Sequence, residues 1–359
     1  MKEGWEYKKL GEVATYVNGF AFKPSDWTDN GLPIIRIQNL TNSTATFHRC
    51  NREDIPDKYK IKCGEILISW SATLGVYEWL GENALLNQHI FKVEFNKVNI
   101  NKKYFEFAVK SSLSEMAKHT NGATMRHIRK GDFDNITIPV PSLSEQQRIV
   151  SYLDAAFAKI DAVAKNAEKS LNEAKALFQS ALTKMMEPKE GWEYKKLGDV
   201  LNLKRGYDLT HSQMKEGQIV VAGSNGPIGL HNEATPISPC ITIGRSGSVG
   251  AVNIYEKCWA HNTTLYVDDF KGNYPRYLYY ILKTMNLSKL NSGSSIPTLN
   301  RNFIHPMKIP FIKDVLKQKE IIATIDSLKS KVDQLQSNLT HTLSECAALK
   351  QSILRETFE

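Results

Sequence analysis

One string written twice limits what this chain can fold into. Residues 2–13 read Lys-Glu-Gly-Trp-Glu-Tyr-Lys-Lys-Leu-Gly-Glu-Val, and residues 189–200 repeat them with one change, Glu12 to Asp199. A string this long, holding Trp, Tyr and two Gly, does not recur by chance, and its spacing far exceeds a solenoid period. The chain is therefore read as two copies of one domain plus whatever follows each. At 359 residues it is long enough for each copy to bury its own core.

Each copy has the same order of patterns. In the first, short apolar runs such as Ile34-Ile35-Arg36-Ile37, Ile66-Leu67-Ile68 and Ile90-Phe91-Lys92-Val93 are punctuated by Gly, Asn and Pro and read as strands. A helix is expected over residues 102–118, and a proline-ended strand closes the block at Ile136-Thr137-Ile138-Pro139. From Ser142 the text turns helical, with a capping-box pattern of Ser142 and Glu145. Apolar or small residues then recur at Ile149, Leu153, Ala156, Ile160, Val163, Ala167, Leu171, Ala174, Leu177 and Ala181, with no Pro or Gly before Pro188. That predicts one helix of ~40 residues, hence ~60 Å. The second copy matches Gly206-Tyr207 to Gly19-Phe20, Ile241 to Ile66, Asn262 to Asn87, Tyr266 to Phe91, Gly293 to Gly122 and Lys308-Ile309-Pro310 to Thr137-Ile138-Pro139. It ends in a second helix, with a seam from Ile322 through Leu328, Leu335 and Leu349 to Ile353.

The expected fold class is α+β: two mixed globular domains, residues 1–142 and 188–313, and two long helices, residues 143–187 and 314–359. A compact domain keeps its ends close, so the helices should run antiparallel as a coiled coil with pseudo-twofold symmetry. The alternative is that each helix packs on its own domain. The net charge of +8 lies on the globular blocks, which carry +3 and +6. A basic excess suits a polyanionic partner, although a solvated surface produces it equally well.

Several chemistries find no support. Gly244, Gly247 and Gly250 do not make the dinucleotide fingerprint, the nine histidines show no HExxH spacing, and no P-loop or GxSxG is present. Five cysteines without CxxC spacing read as reduced thiols. No catalytic residue, metal or cofactor is therefore expected. No apolar run is long enough to span a membrane, and the N-terminus has no signal-peptide core, so a cytoplasmic location is expected.

The arrangement resembles the specificity (S) subunits of type I restriction-modification systems over essentially the whole chain. The resemblance rests on Trp5 with Leu10-Gly11-Glu12-Val13, on their copies Trp192 and Leu197-Gly198-Asp199-Val200, and on Ile35-Arg36-Ile37-Gln38-Asn39-Leu40. Further support lies in Asn87-Gln88-His89-Ile90-Phe91, Gly122-Ala123-Thr124-Met125 and Ser144-Glu145-Gln146-Gln147. The second copy departs from it, with Asn262-Thr263-Thr264-Leu265 for Asn87-Gln88-His89-Ile90 and Lys317-Gln318-Lys319-Glu320 for Glu145-Gln146-Gln147-Arg148. The resemblance implies two target recognition domains, each reading half of a bipartite double-stranded DNA site. It also implies helices that set the gap and hold two methyltransferase subunits, with restriction subunits as further partners. A ~60 Å rod limits the separation of the two heads to about 18 base pairs. A duplicated coiled-coil scaffold without DNA affinity, and the specificity subunit of a modification-only system, are the alternatives.

Base and phosphate contacts need Arg, Lys, Asn or Gln on loops. The candidates are Arg126, His127, Arg129 and Lys130 in the first head, and Lys204, Arg205, Arg245, Asn300 and Arg301 in the second. Arg36, Gln38 and Asn39 lie in framework and are expected to fix the domain internally. Ala155, Phe157, Phe178, Leu316 and Leu354 are the candidate methyltransferase contacts, although Phe157 and Phe178 equally suit packing within the rod.

Overall fold

A computed structural model describes residues 4–42, 44–71, 74–119, 130–290 and 298–359. Lys2, Glu3, residues 122–125 and Gly293, all used above, lie outside the described residues. The chain divides into two units, Met1–Ala167 with His341–Glu359, and Glu168–Thr340. The division cuts both long helices, so each unit holds one head and a stretch of each helix.

In the first unit the order is β1 (Glu6–Lys9), α1 (Leu10–Val13), β2 (Thr15–Asn18), β3 (Leu32–Ile35), α2 (Ile37–Thr41), β4 (His48–Cys50), β5 (Lys60–Ile61), β6 (Ile66–Ser69), β7 (Gly75–Glu78), β8 (Ala84–Leu86), β9 (Ile90–Glu94), α3 (Lys102–His119), α4 (Lys130–Asp134), β10 (Thr137–Val140) and the long α5 (Leu143–Met185). Its sheets run β2-β9-β6-β7, β4-β3-β8-β5 and β1-β10. The second unit repeats the plan: β11 (Glu193–Lys196), α6 (Leu197–Val200), β12 (Asn202–Arg205), β13 (Ile219–Gly223), β14 (Gly226–His231), β15 (Cys240–Gly244), β16 (Val252–Tyr255), β17 (Cys258–Ala260), β18 (Thr264–Asp269), α7 (Pro275–Thr284), α8 (Arg301–Ile304), β19 (Lys308–Phe311) and the long α9 (Val315–Phe358). Here the sheets run β12-β18-β15-β16, β14-β13-β17 and β11-β19.

The duplicated string is the entry to each head. Its strand pairs antiparallel with the strand that closes the same head, Tyr7 opposite Pro139 in one unit and Tyr194 opposite Pro310 in the other. The Leu10 N–H donates to the Ile136 carbonyl and the Leu197 N–H to the Met307 carbonyl, both at 2.8 Å. Trp5 and Trp192 pack half-buried on their respective cores. The Lys-Leu-Gly turn thus ties entrance to exit in each copy, by the same bonds.

Each exit leads into a long helix through a buried glutamine. Gln146 is 1% exposed; its Oε1 accepts the Asn101 N–H at 2.8 Å and its Nε2 donates to the Pro141 carbonyl at 2.8 Å. Gln318, 0% exposed, does the same with the Tyr274 N–H at 2.9 Å and the Ile312 carbonyl at 2.7 Å. A primary amide carries both a donor and an acceptor, which is why it satisfies one orphan backbone group of each kind. In the first unit α5 and α9 are antiparallel neighbours. Lys350 reaches Asp161 and lies over the Phe157 ring at 5.4 Å, while farther along α9 the Phe358 ring meets Tyr104 at 5.5 Å, beside the head.

Two expectations need correction. The run at residues 34–37 is not one strand: β3 stops at Ile35, Arg36 is the N-cap of α2, and Ile37 begins that helix. Asn39 Oδ1 accepts the Arg36 N–H at 3.1 Å, which turns the chain there. The second correction concerns the match of Asn262 to Asn87. The Gly19 N–H donates to Ile90 and the Phe20 N–H to Leu86, while Gly206 donates to Thr264 and Tyr207 to Ala260. Phe20 bridges Asn87 as Tyr207 bridges His261, so Asn87 corresponds to His261, Gln88 to Asn262 and Phe91 to Leu265.

Replacing Gln318 by Leu keeps the bulk but strands the Tyr274 N–H and the Ile312 carbonyl, at about 1–3 kcal/mol for each buried group. Denaturant unfolding followed by tryptophan fluorescence should show a loss of that order, and a change within 0.5 kcal/mol would contradict the latch.

Candidate nucleic-acid interface

The second head brings its five sequence candidates to one end of the β12-β18-β15 sheet. Lys204 and Arg205 close β12, opposite Tyr266 and Leu265 of β18, and Leu265 lies opposite Ile243 of β15. Arg245 follows β15 directly; its N–H donates to the Thr263 carbonyl and its own carbonyl accepts the Leu299 N–H, both at 2.8 Å. That places residues 299–301 beside the same sheet end. Asn300 caps α8 by accepting the Asn302 N–H at 3.0 Å, and Arg301 sends Nη1 to the Leu203 carbonyl at 3.2 Å. The strand order therefore gathers residues about a hundred positions apart in sequence.

Charges here are held, not loose. Lys204 Nζ lies 2.6 Å from Asp268 Oδ2, and that bond, reinforced by the carboxylate's charge, holds the ammonium's pKa above its ordinary value. Arg205 Nη2 donates to Asp208 Oδ1 at 3.0 Å, and Asn262 Nδ2 donates to the same oxygen. The Asn262 bond, then the charges of Arg205 and His261, keeps the Asp208 carboxyl below the usual carboxylate range. His305, at the C-terminal end of α8, accepts the Leu203 N–H on Nε2 at 3.1 Å. Burial, with Arg301 and Lys271 nearby, lowers its pKa, against a smaller opposing effect of Asp268.

In the first head the equivalent sheet end is built by Asn18, Ser69 and Ile90. Lys130 is exposed and opens α4, the counterpart of Arg301 at α8. Arg126, His127 and Arg129 lie outside the described residues. Sequence reasoning missed Trp70 here: its ring sits 4.9 Å from His89 and its Nε1 donates to Asn18 Oδ1 at 3.2 Å. The pairing joins the last residue of β2 to the residues just after β6 and just before β9, which no local pattern announces. Arg36 and Asn39 are internal braces, as expected: Arg36 Nη2 donates to the Thr46 carbonyl at 2.8 Å and Asn39 Nδ2 to the same carbonyl at 3.1 Å.

The five helix candidates separate into two groups. Leu354 is buried in the first core, Phe157 packs edge-on against Phe107 at 5.6 Å, and Phe178 lies beneath Lys329 at 5.9 Å. Leu354 is thus closed off, while Phe157 and Phe178, half-buried, are partly covered within their own units. Ala155 is exposed and Leu316 is 70% exposed. Among the described residues there is no cluster of His, Cys, Asp and Glu suited to a metal ion, and no helix long and apolar enough to cross a membrane.

Comparison with known proteins agrees with this geometry. The family described as type I restriction modification DNA specificity domain matches residues 2–173 and 189–344. The chain is 24% identical to the type I restriction enzyme EcoBI specificity subunit of Escherichia coli, over 99% of this chain and 86% of that one. Among solved structures, a chain from work on complex assembly and conformational transition of the type I R-M system superposes with a TM-score of 0.74 at 19% identity, covering 100% of this chain and 98% of that one. The HsdS subunit from Thermoanaerobacter tengcongensis gives 0.51 at 18%, covering 100% and 97%.

Two measurements test the sheet end. Arg301→Ala should weaken DNA binding and lower the slope of log K against log salt by about one per lost phosphate contact; an unchanged slope would remove Arg301 from the interface. The second concerns His305, whose folded-state pKa is below the unfolded value of about 6.5. Below that pH the unfolded chain binds the extra proton, so stability should fall as pH drops through this window. Urea midpoints at pH 7.5 and 5.0 should converge in His305→Gln, which keeps an acceptor for Leu203 without titrating.

Proposed function

Because the chain belongs to the type I restriction-modification DNA specificity family, we propose that each head is a target recognition domain reading half of a bipartite double-stranded DNA site. One observation carries this: the same hydrogen-bonded frame occurs twice, and the side chains at its sheet end differ between copies. Asn18 and Gln88 stand in one head where Arg205 and Asn262 stand in the other. A common frame with different donors and acceptors suits two different half-sites.

The chain is a non-catalytic subunit, and the chemistry belongs to its partners. Two methyltransferase subunits dock along the long helices, where Ala155 and Leu316 are open together with Val163, 50% exposed, and Leu177, 66% exposed. Val163 and Leu177 belong to the apolar series of α5 yet stay on its surface, which supports an external partner for that face. Restriction subunits are further partners of the complex, and the assembly works in the cytoplasm. The basic candidates of the first head, Arg126, His127, Arg129 and Lys130, make its DNA contacts.

Expression with the cognate methyltransferase in a methylation-free host, followed by long-read mapping of modified bases, should give one gapped motif. Replacing residues 201–310 with the same region of a relative should then change one half of the motif and leave the gap and the other half intact. A continuous motif, or changes in both halves, would refute the assignment.

A further inference from the structure

Beside the duplicated frame, the second head carries a three-residue constellation that core packing does not require. Gly206 permits it: a β carbon there would collide with the carbonyl groups of Ala260 and His261, so only glycine lets the two segments close. The loop after β12 is then fastened to the segment before β18. The Gly206 N–H donates to Thr264 at 3.0 Å, the Tyr207 N–H to Ala260 at 2.8 Å, and the Leu209 carbonyl contacts His261 Nε2 at 3.2 Å. On this rigid clasp a single oxygen, Asp208 Oδ1, takes hydrogen bonds from both Arg205 Nη2 and Asn262 Nδ2. Arg205 and Asp208 are both more than half exposed.

Two alternatives fit poorly. A phosphate clamp is disfavoured because a carboxylate 3.0 Å from the guanidinium cancels its charge and repels a phosphate. A purely structural stitch is superfluous, since the backbone bonds of the clasp already hold the two segments. What Asp208 adds is direction. An ionised carboxylate only accepts, so Asn262 must turn its NH2 inward and present Oδ1 as an outward acceptor. Arg205 spends one of its five donors on Asp208 and keeps a fork for another partner.

The geometry points to Arg205 and Asn262, aligned by Asp208, as the reader of one G·C base pair in the half-site of the second head. In the major groove guanine offers two acceptors, N7 and O6, beside the N4 donor of its cytosine, which matches an arginine fork next to an amide oxygen. The inference rests on the DNA-reading role proposed above. The first head has Asn18, Ala21 and Gln88 at these three places and no carboxylate among them, so it has no such reader there.

The test compares methylation motifs of the wild-type chain and of Asn262→Ala, Arg205→Ala and Asp208→Asn, each expressed with the methyltransferase in a methylation-free host. The wild type should show a G·C pair in its second half-site at which discrimination falls on the order of tenfold to a hundredfold in Asn262→Ala and Arg205→Ala. Asp208→Asn, isosteric and fold-preserving, should relax the same position more weakly. Unchanged motifs, a uniform loss of methylation at all positions in variants whose melting temperature matches the wild type, or relaxation at an A·T pair would each overturn the assignment. A wild-type chain giving no gapped motif would instead bring down the DNA-reading role itself, and the reader with it.

Discussion

Everything in this chain depends on two short antiparallel ladders. By pairing β1 with β10 and β11 with β19, each head brings the strand that enters it alongside the strand that leaves it. Neither ladder is long enough to be stable alone, since an isolated two-stranded pair is marginal in water. Each survives by lying on a core: Ile138 and Val140 reach the first, Ile309 and Phe311 the second. Once the ends meet, a helix leaving one head must start beside the place where the chain arrived. The buried glutamines then make that departure rigid. Gln146 and Gln318 bind backbone groups on both sides of the junction, so the first turn of each long helix is part of the head and not a tether to it.

That dependence explains why the entry string has stayed nearly constant while the domains behind it diverged. Leu10, Val13, Leu197 and Val200 are buried, and the single change, Glu12 to Asp199, falls on neither pair. A junction that meets identical demands twice accepts identical residues twice. The sheet ends meet no such common demand. There the frame bonds at Gly19 and Gly206 are shared, whereas the side chains they display are not.

The long helices were legible because a capped start and an uninterrupted apolar series are local signals: the observed bounds, Leu143–Met185 and Val315–Phe358, follow the predicted runs. Which part of that series would be buried was not legible. Ile160, Ala167 and Ala174 are buried at heptad spacing, while Val163 and Leu177, equally apolar, are exposed. A narrow seam covers one row, and the period alone does not say which. The one-residue slip at Asn87 has a similar cause: Asn262 resembled it by type, but hydrogen bonds from Phe20 and Tyr207 set the register. The basic sheet end was half legible. Lys204 and Arg205 stand together at a strand terminus, whereas Asp268 and Asp208 acquire meaning only through strand pairing and loop closure.

Those carboxylates change what a basic surface means. A net charge of +6 on the second block suggests simple attraction to a polyanion, yet Lys204 and Arg205 each carry an acidic partner within 3.0 Å. Unpaired lysines bind any phosphate and so favour every sequence alike. Paired cations lose part of that indiscriminate attraction and keep their geometry, and geometry is what distinguishes one base edge from another. On the role proposed for Arg205, a head built this way gives up non-specific affinity at that position. The compensating attraction must then come from elsewhere in the assembly, which is consistent with a subunit that recognises DNA as one part of a larger complex.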